Sequence, residues 1–501
     1  MNVADLLRDT SERLPDKVAL IFAAADPAVG GPDEHPTFTF AALQAEAEAV
    51  AGALQARGVA PGDRVAIAMH NIPQFVTAYF GSLRAGAAVV PVNVLLTPRE
   101  VGGIIEDSQA RIVVAADVFE PTIRDGAGEG VEVVSTAAWS DFLSSGDPAR
   151  PVDRDDDDLA VLAYTSGTTG APKGAMLTHG NLVANLRQQM AVPEDHVRED
   201  DVLFLALPLF HIFGLNVALG LIAKAGATGV LVERFEPVPA LRTIQEHEVT
   251  VIFGAPTMFG AWVSLPGADQ YDISRVRIAV SGAAPLGPEV LRDFRDLFGV
   301  DIYEGYGLTE TAPTLTSARM GKSVRPGSVG LPLPEVELRL VDEDGNDVEV
   351  GDPGEILVRG PNVFKGYWNR EDETKAAFID GWFRTGDVGL RDEDGYIYLV
   401  DRKRDLIIVS GFNVYPSEVE QALLENPKVS EAVVVGIPHA YTGEAVKAYV
   451  VLTPGVEVTE AELIADVRTR IARFKRPEVI DIVETLPRAL TGKILRRVLR
   501  T

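Results

Sequence analysis

Apolar positions along the first 320 residues alternate between two spacings. Helical spacing over 41–57 stops at Gly58, and a continuous apolar run follows at 64–69. The same alternation predicts a helix over 74–85 and strands over 87–92 and 112–115. Further short apolar runs at 159–165, 249–253, 277–281 and 301–304 read as buried strands, each followed by a loop. Helices alternating with buried strands are the pattern of a doubly wound α/β sheet, whose ligands sit beyond the carboxyl ends of its strands. From about residue 325 the rhythm changes to short strands (335–342, 354–359, 395–399) between Gly, Pro and Asp turns, which predicts a small β-barrel or meander. Beyond the charged run 401–405, a helix over 416–424, strands over 429–436 and 445–452 and a helix over 460–472 predict a compact α+β tail. The expected division is therefore a large α/β domain over 1–403 and a small, mobile domain over 404–501.

The stretch 202–223 has no charged residue and is long enough to span a bilayer. It is broken by Pro208, His211, Gly214, Asn216 and Gly220, so the expectation is a buried strand ended by Pro208 and a buried helix after it, with no transmembrane segment.

A chain of 501 residues exceeds one core. Its net charge of −27 opposes polyanions, which argues against a nucleic-acid partner and requires local cations at any nucleotide site. It has no cysteine, so any thioester sulfur must come from a cofactor or a partner. Residues 1–17 are polar and acidic with no apolar leader core, and a cytoplasmic enzyme is expected. The acidic run 153–158 reads as a solvated loop.

The segment Tyr164-Thr-Ser-Gly-Thr-Thr-Gly-Ala-Pro-Lys-Gly174 leaves a predicted strand and carries six small residues in a row. Such a loop can turn backbone N–H groups and the hydroxyls of Ser166, Thr168 and Thr169 toward an anion, with Lys173 adding charge. Alone it reads equally as a flexible surface loop, and it lacks the spacing of a P-loop. Four other segments bear on it: Tyr303-Glu-Gly-Tyr-Gly-Leu-Thr-Glu310, Trp382-Phe-Arg-Thr-Gly-Asp387, the run Asp401–Asp405 leading to Ser410-Gly-Phe-Asn-Val-Tyr-Pro-Ser-Glu-Val-Glu420, and Pro487-Arg-Ala-Leu-Thr-Gly-Lys493.

In order and wording the five segments resemble the core motifs of the adenylate-forming superfamily, which holds acyl-CoA synthetases, peptide-synthetase adenylation domains and luciferases. The likeness spans nearly the whole chain and is greatest to fatty acyl-CoA synthetases. It implies that a carboxylate is activated with ATP and Mg²⁺ to an acyl-adenylate and passed to coenzyme A. It also implies site residues. Thr165, Ser166, Gly167, Thr168, Thr169, Gly170 and Lys173 would hold the β- and γ-phosphates. Thr165 and Glu310 would serve the metal, and Thr309 the α-phosphate. Tyr306, flanked by Gly305 and Gly307, would stack on adenine, whose edge would meet Glu304 and the turn Gly282, Ala283, Ala284. Asp387 would hold the ribose, with Arg402 supporting ribose or phosphate. Lys493 would stabilise charge at the reacting phosphorus. The resemblance further implies that the small domain alternates between two orientations about Arg404, where relatives more often carry Asp or Lys, and that Gly411 and Phe412 line the pantetheine channel.

His211 resembles the aromatic position that gates the carboxylate site. No acidic residue in 207–217 would pair an α-amine, and no Lys or Arg there would pair a second carboxylate. A medium- or long-chain fatty acid is expected first and an aryl acid second. No carrier domain follows Lys493, so free CoA is the expected acceptor, with a separate carrier protein as the rival. A catalytically silent ligand sensor is the alternative of another class.

Overall fold

The computed structural model describes residues 1–23, 35–165, 172–194, 196–321, 323–402, 405–409, 412–439, 443–468, 470–471, 473–488 and 494–500. Of residues 401, 402, 408, 412, 413, 443, 474 and 497 it describes only the backbone. The chain divides into two compact units: Met1–Glu337 with Val358–Phe383, and Leu338–Leu357 with Arg384–Thr501. The charged run 401–405 thus lies inside the second unit.

The first unit holds two sheets. In one, the strands run in the order Glu132–Ser135, Ile112–Ala115, Arg64–Ala68, Ala88–Pro91, Leu159–Thr165, Lys173–Thr178. All neighbours pair parallel except the last two, which form an antiparallel hairpin. Its strands read as unbroken Val, Ile and Ala because both faces are covered. Ala66, Val90 and Val113 pack with Val101, Ile104 and Ile105 of the helix Pro98–Ser108 and with Ile123 of Glu120–Ala127. Thr97 starts the former helix through a capping box with Glu100, and Pro98 is preset for its first turn.

The second sheet places Val18–Ala23, Thr228–Val232, Val202–Leu205, Val251–Gly254, Ile278–Ser281 and Ile302–Gly307 side by side, all parallel. Thr37–Thr39 closes one edge antiparallel, and Thr314–Ser317 with Ser328–Pro332 continues the other antiparallel. The uncharged stretch supplies the interior of this sheet: Leu203 and Phe204 are fully buried, and so are Leu215, Val217 and Leu219 beyond Pro208. The expected helix there is a π-helical turn over Phe213–Gly220 that passes into an α-helix at Leu221–Ala225. Among the described residues no helix is long and apolar enough to cross a membrane.

Glu337–Val341, Gly354–Arg359, Trp382–Arg391 and Ile397–Arg402, most of whose residues fall in the second unit, follow one another as neighbours, the meander expected for this region. The tail is a sheet of Phe412–Val414, Ile407–Val409, Gly443–Leu452 and Val429–His439, with Val479–Ile482 paired parallel to Gly443–Leu452. Pro416–Leu424 and Glu460–Val467 pack on it through Val419, Leu423, Leu463 and Val467. The second helix stops at Val467, earlier than its apolar spacing predicts. The Arg476 guanidinium turns back to the carbonyls of Arg468 (2.9 Å) and Ile471 (3.2 Å), satisfying the acceptors of a chain that has already left the helix.

Candidate active site

Two of the five motifs, and the 282–284 turn beside them, leave the carboxyl ends of first-unit strands. Ile302–Gly307 ends in the Gly-Tyr-Gly segment, whose register with Thr314–Ser317 shifts between Tyr306 and Gly307. A Cβ at Gly307 would lie 2.0 Å from the Pro313 carbonyl oxygen, so only glycine lets the hairpin close here. The chain then forms a short 3-10 turn, Thr309–Thr311. It places Glu310, 8% exposed, where the Tyr367 hydroxyl donates to its Oε1 at 2.9 Å. Burial, then the charge of Glu310 and this hydrogen bond, hold the Tyr367 phenol well above its usual range, so it stays a donor at neutral pH.

Tyr367 is set by backbone register. The segment 365–368 lies along the strand Lys173–Thr178: Lys365 N donates to Met176 O (3.0 Å), Met176 N to Gly366 O (2.9 Å) and Trp368 N to Gly174 O (2.8 Å). Lys173 Nζ consequently sits 5.4 Å from the Tyr367 ring centroid. Thr165 and Lys173 face each other across the mouth of the hairpin, Thr165 Oγ1 lying 3.5 Å from the Lys173 carbonyl. The metal-site carboxylate expected from the sequence and the cation at the end of the glycine-threonine turn therefore share one tyrosine. Ser166, Gly167, Thr168, Thr169 and Gly170 lie outside the described residues.

Buried amides fix the Glu310 turn from behind. Asn362 Nδ2 donates to the carbonyls of Thr311 (2.8 Å) and Thr314 (3.2 Å), and Gln188 Nε2 donates to Asn362 Oδ1 (3.2 Å). Asn185 Nδ2 reaches Thr314 O at 2.8 Å, and Asn216 Nδ2 reaches Ala312 O at 2.7 Å. Fully paired buried amides of this kind hold a loop in one conformation.

On the neighbouring strand end, Ser281 leads into Gly282, Ala283 and Ala284. Ala283 is exposed with φ +74°, a left-handed conformation that costs a non-glycine residue free energy and clusters at ligand clamps. Ser281 Oγ is buried without a hydrogen-bond partner among the described residues. Glu304, 7% exposed, accepts from Leu286 N at 3.3 Å. Burial pushes its carboxyl up to about 7 against the opposing N–H groups of Leu286 and Gly327. Tyr306 is buried beside it, and Gly305 and Thr309 are half-buried. Neighbouring strand ends with an orphan hydroxyl, a strained alanine and a buried carboxylate fit a polar heteroaromatic edge such as adenine, and buried Glu310 offers the hard oxygen that Mg²⁺ takes.

The 282–284 turn adjoins the apolar run. A Cβ on Gly282 would lie 3.0 Å from Phe213 Cε1. Phe213 N donates to His211 Nδ1 at 3.3 Å, which leaves the ring proton of the neutral imidazole on Nε2. Asn71, buried, anchors the loop before them: its Nδ2 donates to Leu207 O at 3.0 Å, and its Oδ1 accepts from Leu209 N at 2.9 Å.

In the second unit Asp387 is buried, its N–H donates to Thr385 Oγ1 at 3.1 Å, and it is the Cα partner of Arg402. Phe412 pairs with Val409 in the tail sheet. Arg404, Gly411 and Lys493 lie outside the described residues. Tyr367 and the buried amides were missed by sequence reasoning. The only local signal was the aromatic pair Tyr367-Trp368 after a glycine, which marks no chemistry.

Two family profiles cover most of the chain: AMP-binding enzyme over residues 7–368 and AMP-binding enzyme C-terminal domain over 418–493. A long-chain-fatty-acid–CoA ligase of Bacillus subtilis is 35% identical over 530 residues, covering 98% of this chain and 93% of its own. A feruloyl-CoA synthase of Amycolatopsis is 38% identical over 460 residues, covering 91% and 92%. The crystal structure of ATP-bound MatB from Rhodopseudomonas palustris superposes with a TM-score of 0.91 at 36% identity, covering 100% of this chain and 98% of the other. With the motif order, the strand-end geometry and these likenesses together, the chain belongs to the AMP-binding enzyme family and so to the adenylate-forming superfamily of acyl-CoA synthetases.

Proposed function

We propose that this enzyme joins an apolar carboxylic acid, a medium- or long-chain fatty acid, to coenzyme A in the cytoplasm, at the expense of ATP. The observation that carries the site assignment is the shared contact of Tyr367 with Glu310 and Lys173, which gathers a carboxylate and a cation at the root of the glycine-threonine turn. The apolar surroundings of His211 and the naming of relatives as long-chain-fatty-acid–CoA ligases support the acid class.

In this reading backbone amides and hydroxyls of 165–170, with Lys173, hold the β- and γ-phosphates, and Thr309 bonds the α-phosphate. Mg²⁺ neutralises phosphate charge and polarises the leaving pyrophosphate; Glu310, aided by Thr165, would hold it. Glu304 and the 282–284 turn orient adenine over Tyr306, and Asp387 with Arg402 takes the ribose. The acid's carboxylate oxygen attacks the α-phosphorus in line, and Lys493 stabilises the negative charge that develops there. The domain carrying Lys493, reckoned from Arg404 onward, then reorients, and Gly411 and Phe412 admit the thiol, which attacks the acyl carbonyl and expels AMP.

The test separates the half-reactions. ATP–pyrophosphate exchange over a panel of fatty, aryl and dicarboxylic acids identifies the substrate class; exchange with no carboxylate favours the sensor. Discharge of the adenylate by a holo-carrier protein and not by free CoA favours the carrier-loading ligase. Lys493→Ala should abolish adenylation and spare thioester formation from supplied acyl-adenylate. A bulky residue at position 411 should do the reverse.

An aryl acid is the second reading. It is favoured by the feruloyl-CoA synthase at 38% identity and by an imidazole and the Phe213 ring at the expected carboxylate gate.

A further inference from the structure

His35, Glu246 and His247 belong to none of the five motifs nor to the apolar run 207–217, and have no part in the reaction above. Each offers a ligating atom, and the three atoms all fall within 4.8 Å of one another. The two imidazole rings are 5.1 Å apart, centroid to centroid, and tilted at 59°. His247 Nε2 is buried without a hydrogen-bond partner among the described residues, an exception to the rule that buried ring nitrogens are paired. The chain has seven histidines and no cysteine, and two of the seven converge here from positions 212 residues apart (247 − 35).

We propose that His35, His247 and Glu246 form a site for a divalent transition metal of the Zn²⁺ type. Two imidazole nitrogens and one carboxylate oxygen are the donor set of three-ligand zinc sites, with water in the fourth position. Bonds of roughly 2.0–2.1 Å put tetrahedral donors about 3.3–3.5 Å apart, so rotation of the exposed Glu246 side chain and the half-buried rings closes the remaining gap. The place also suits a cation. Glu246 is the last residue of the helix Pro237–Glu246 and His247 its C-cap, where the helix dipole presents its negative end. Arg275 pairs with Glu248, at 4.0 Å. Bound metal would tie the chain entering the edge strand Thr37–Thr39 to the end of this helix, two parts of the first unit that the backbone joins only over a long path.

The experiment uses the full-length protein, stripped with chelator, without nucleotide and with Mg²⁺ in large excess to occupy hard-oxygen sites. ZnCl₂ is titrated by calorimetry, and CoCl₂ is added separately to read the visible d–d bands of nitrogen-ligated cobalt. The expected result is one saturable equivalent of Zn²⁺, a rise in melting temperature with zinc, and a loss of affinity on the order of tenfold or more in His35→Ala and in Glu246→Gln. His35→Ala lies outside helices and strands, so it keeps the test valid if His247→Ala fails to fold. No saturable equivalent in excess Mg²⁺, or affinity unchanged in His35→Ala and Glu246→Gln, overturns the proposal.

Discussion

Replacing Tyr367 by Phe removes one oxygen and keeps the rest of the arrangement. The ring still packs edge-on to Phe364 at 4.9 Å between centroids and still faces Lys173. What is lost is the 2.9 Å hydrogen bond to Glu310, made inside the protein to a carboxylate that is 8% exposed. A neutral donor on a charged acceptor contributes about 1.5–3 kcal/mol. If Glu310 serves the metal in the transition state, that loss appears as roughly a 10- to 150-fold drop in kcat/KM for adenylation. ATP–pyrophosphate exchange at saturating acid, measured across a Mg²⁺ series, is the assay. The drop should be largest at low Mg²⁺ and shrink as Mg²⁺ rises, while thioester formation from supplied acyl-adenylate stays near wild type. Combined with Glu310→Gln the effect should be far from additive, since both changes disable one contact. Exchange within twofold of wild type at every Mg²⁺ concentration, or equal loss in both half-reactions, would refute the assignment of Tyr367 as the residue that positions Glu310.

Other substitutions probe the same framework. Gly307→Ala must push the Pro313 carbonyl away from a 2.0 Å approach and should weaken ATP binding at a cost of roughly 1–3 kcal/mol in stability, read by nucleotide titration and urea unfolding; unchanged affinity would show that the hairpin opens freely. Asn362→Ala, at a fully buried position, strands the Thr311 carbonyl and the Gln188 amide, while the Thr314 carbonyl keeps Asn185, and should lower unfolding free energy by about 2–4 kcal/mol; a loss below about 1 kcal/mol would mean that water replaces the amide. Glu304 supplies a pH test. Its carboxyl is raised from 4.5 to about 7, so between those values the native state binds more protons than the unfolded one, and stability falls as pH rises through that window. The stability of Glu304→Gln relative to wild type should therefore grow by about 3 kcal/mol from pH 4 to pH 8, and a constant difference across that range would show that Glu304 is solvated.

The parallel strands were legible because burial on both faces leaves an unbroken apolar run, as in Ile112–Ala115, where expected and observed limits coincide. The motif ends of Ile278–Ser281 and Ile302–Gly307 were legible because glycine and alanine at a strand end announce close backbone approach. Tyr367 was not, because its role comes from register with a strand some 190 residues earlier, and register leaves no local mark. Nor were Asn185, Gln188, Asn216 and Asn362. An amide in a sequence reads as surface or turn, and only the fold reveals that four of them meet behind one turn. The early end of Glu460–Val467 was hidden for a similar reason, since apolar spacing continues past the point where Arg476 takes over the carbonyls.

The π-helical turn at Phe213–Gly220 is equivalent to one residue stored in excess of α-helical need. Deleting a single residue there would let the segment relax to ordinary spacing, with the strand before Pro208 and the helix Leu221–Ala225 left in place. Side chains on the upstream side would swing by about 100° relative to those downstream. The Phe213 ring, now against Gly282, would turn away and change what packs against that turn. A lineage can thus recontour this part of the fold by losing one codon, a step that point substitution in a packed interior could not match.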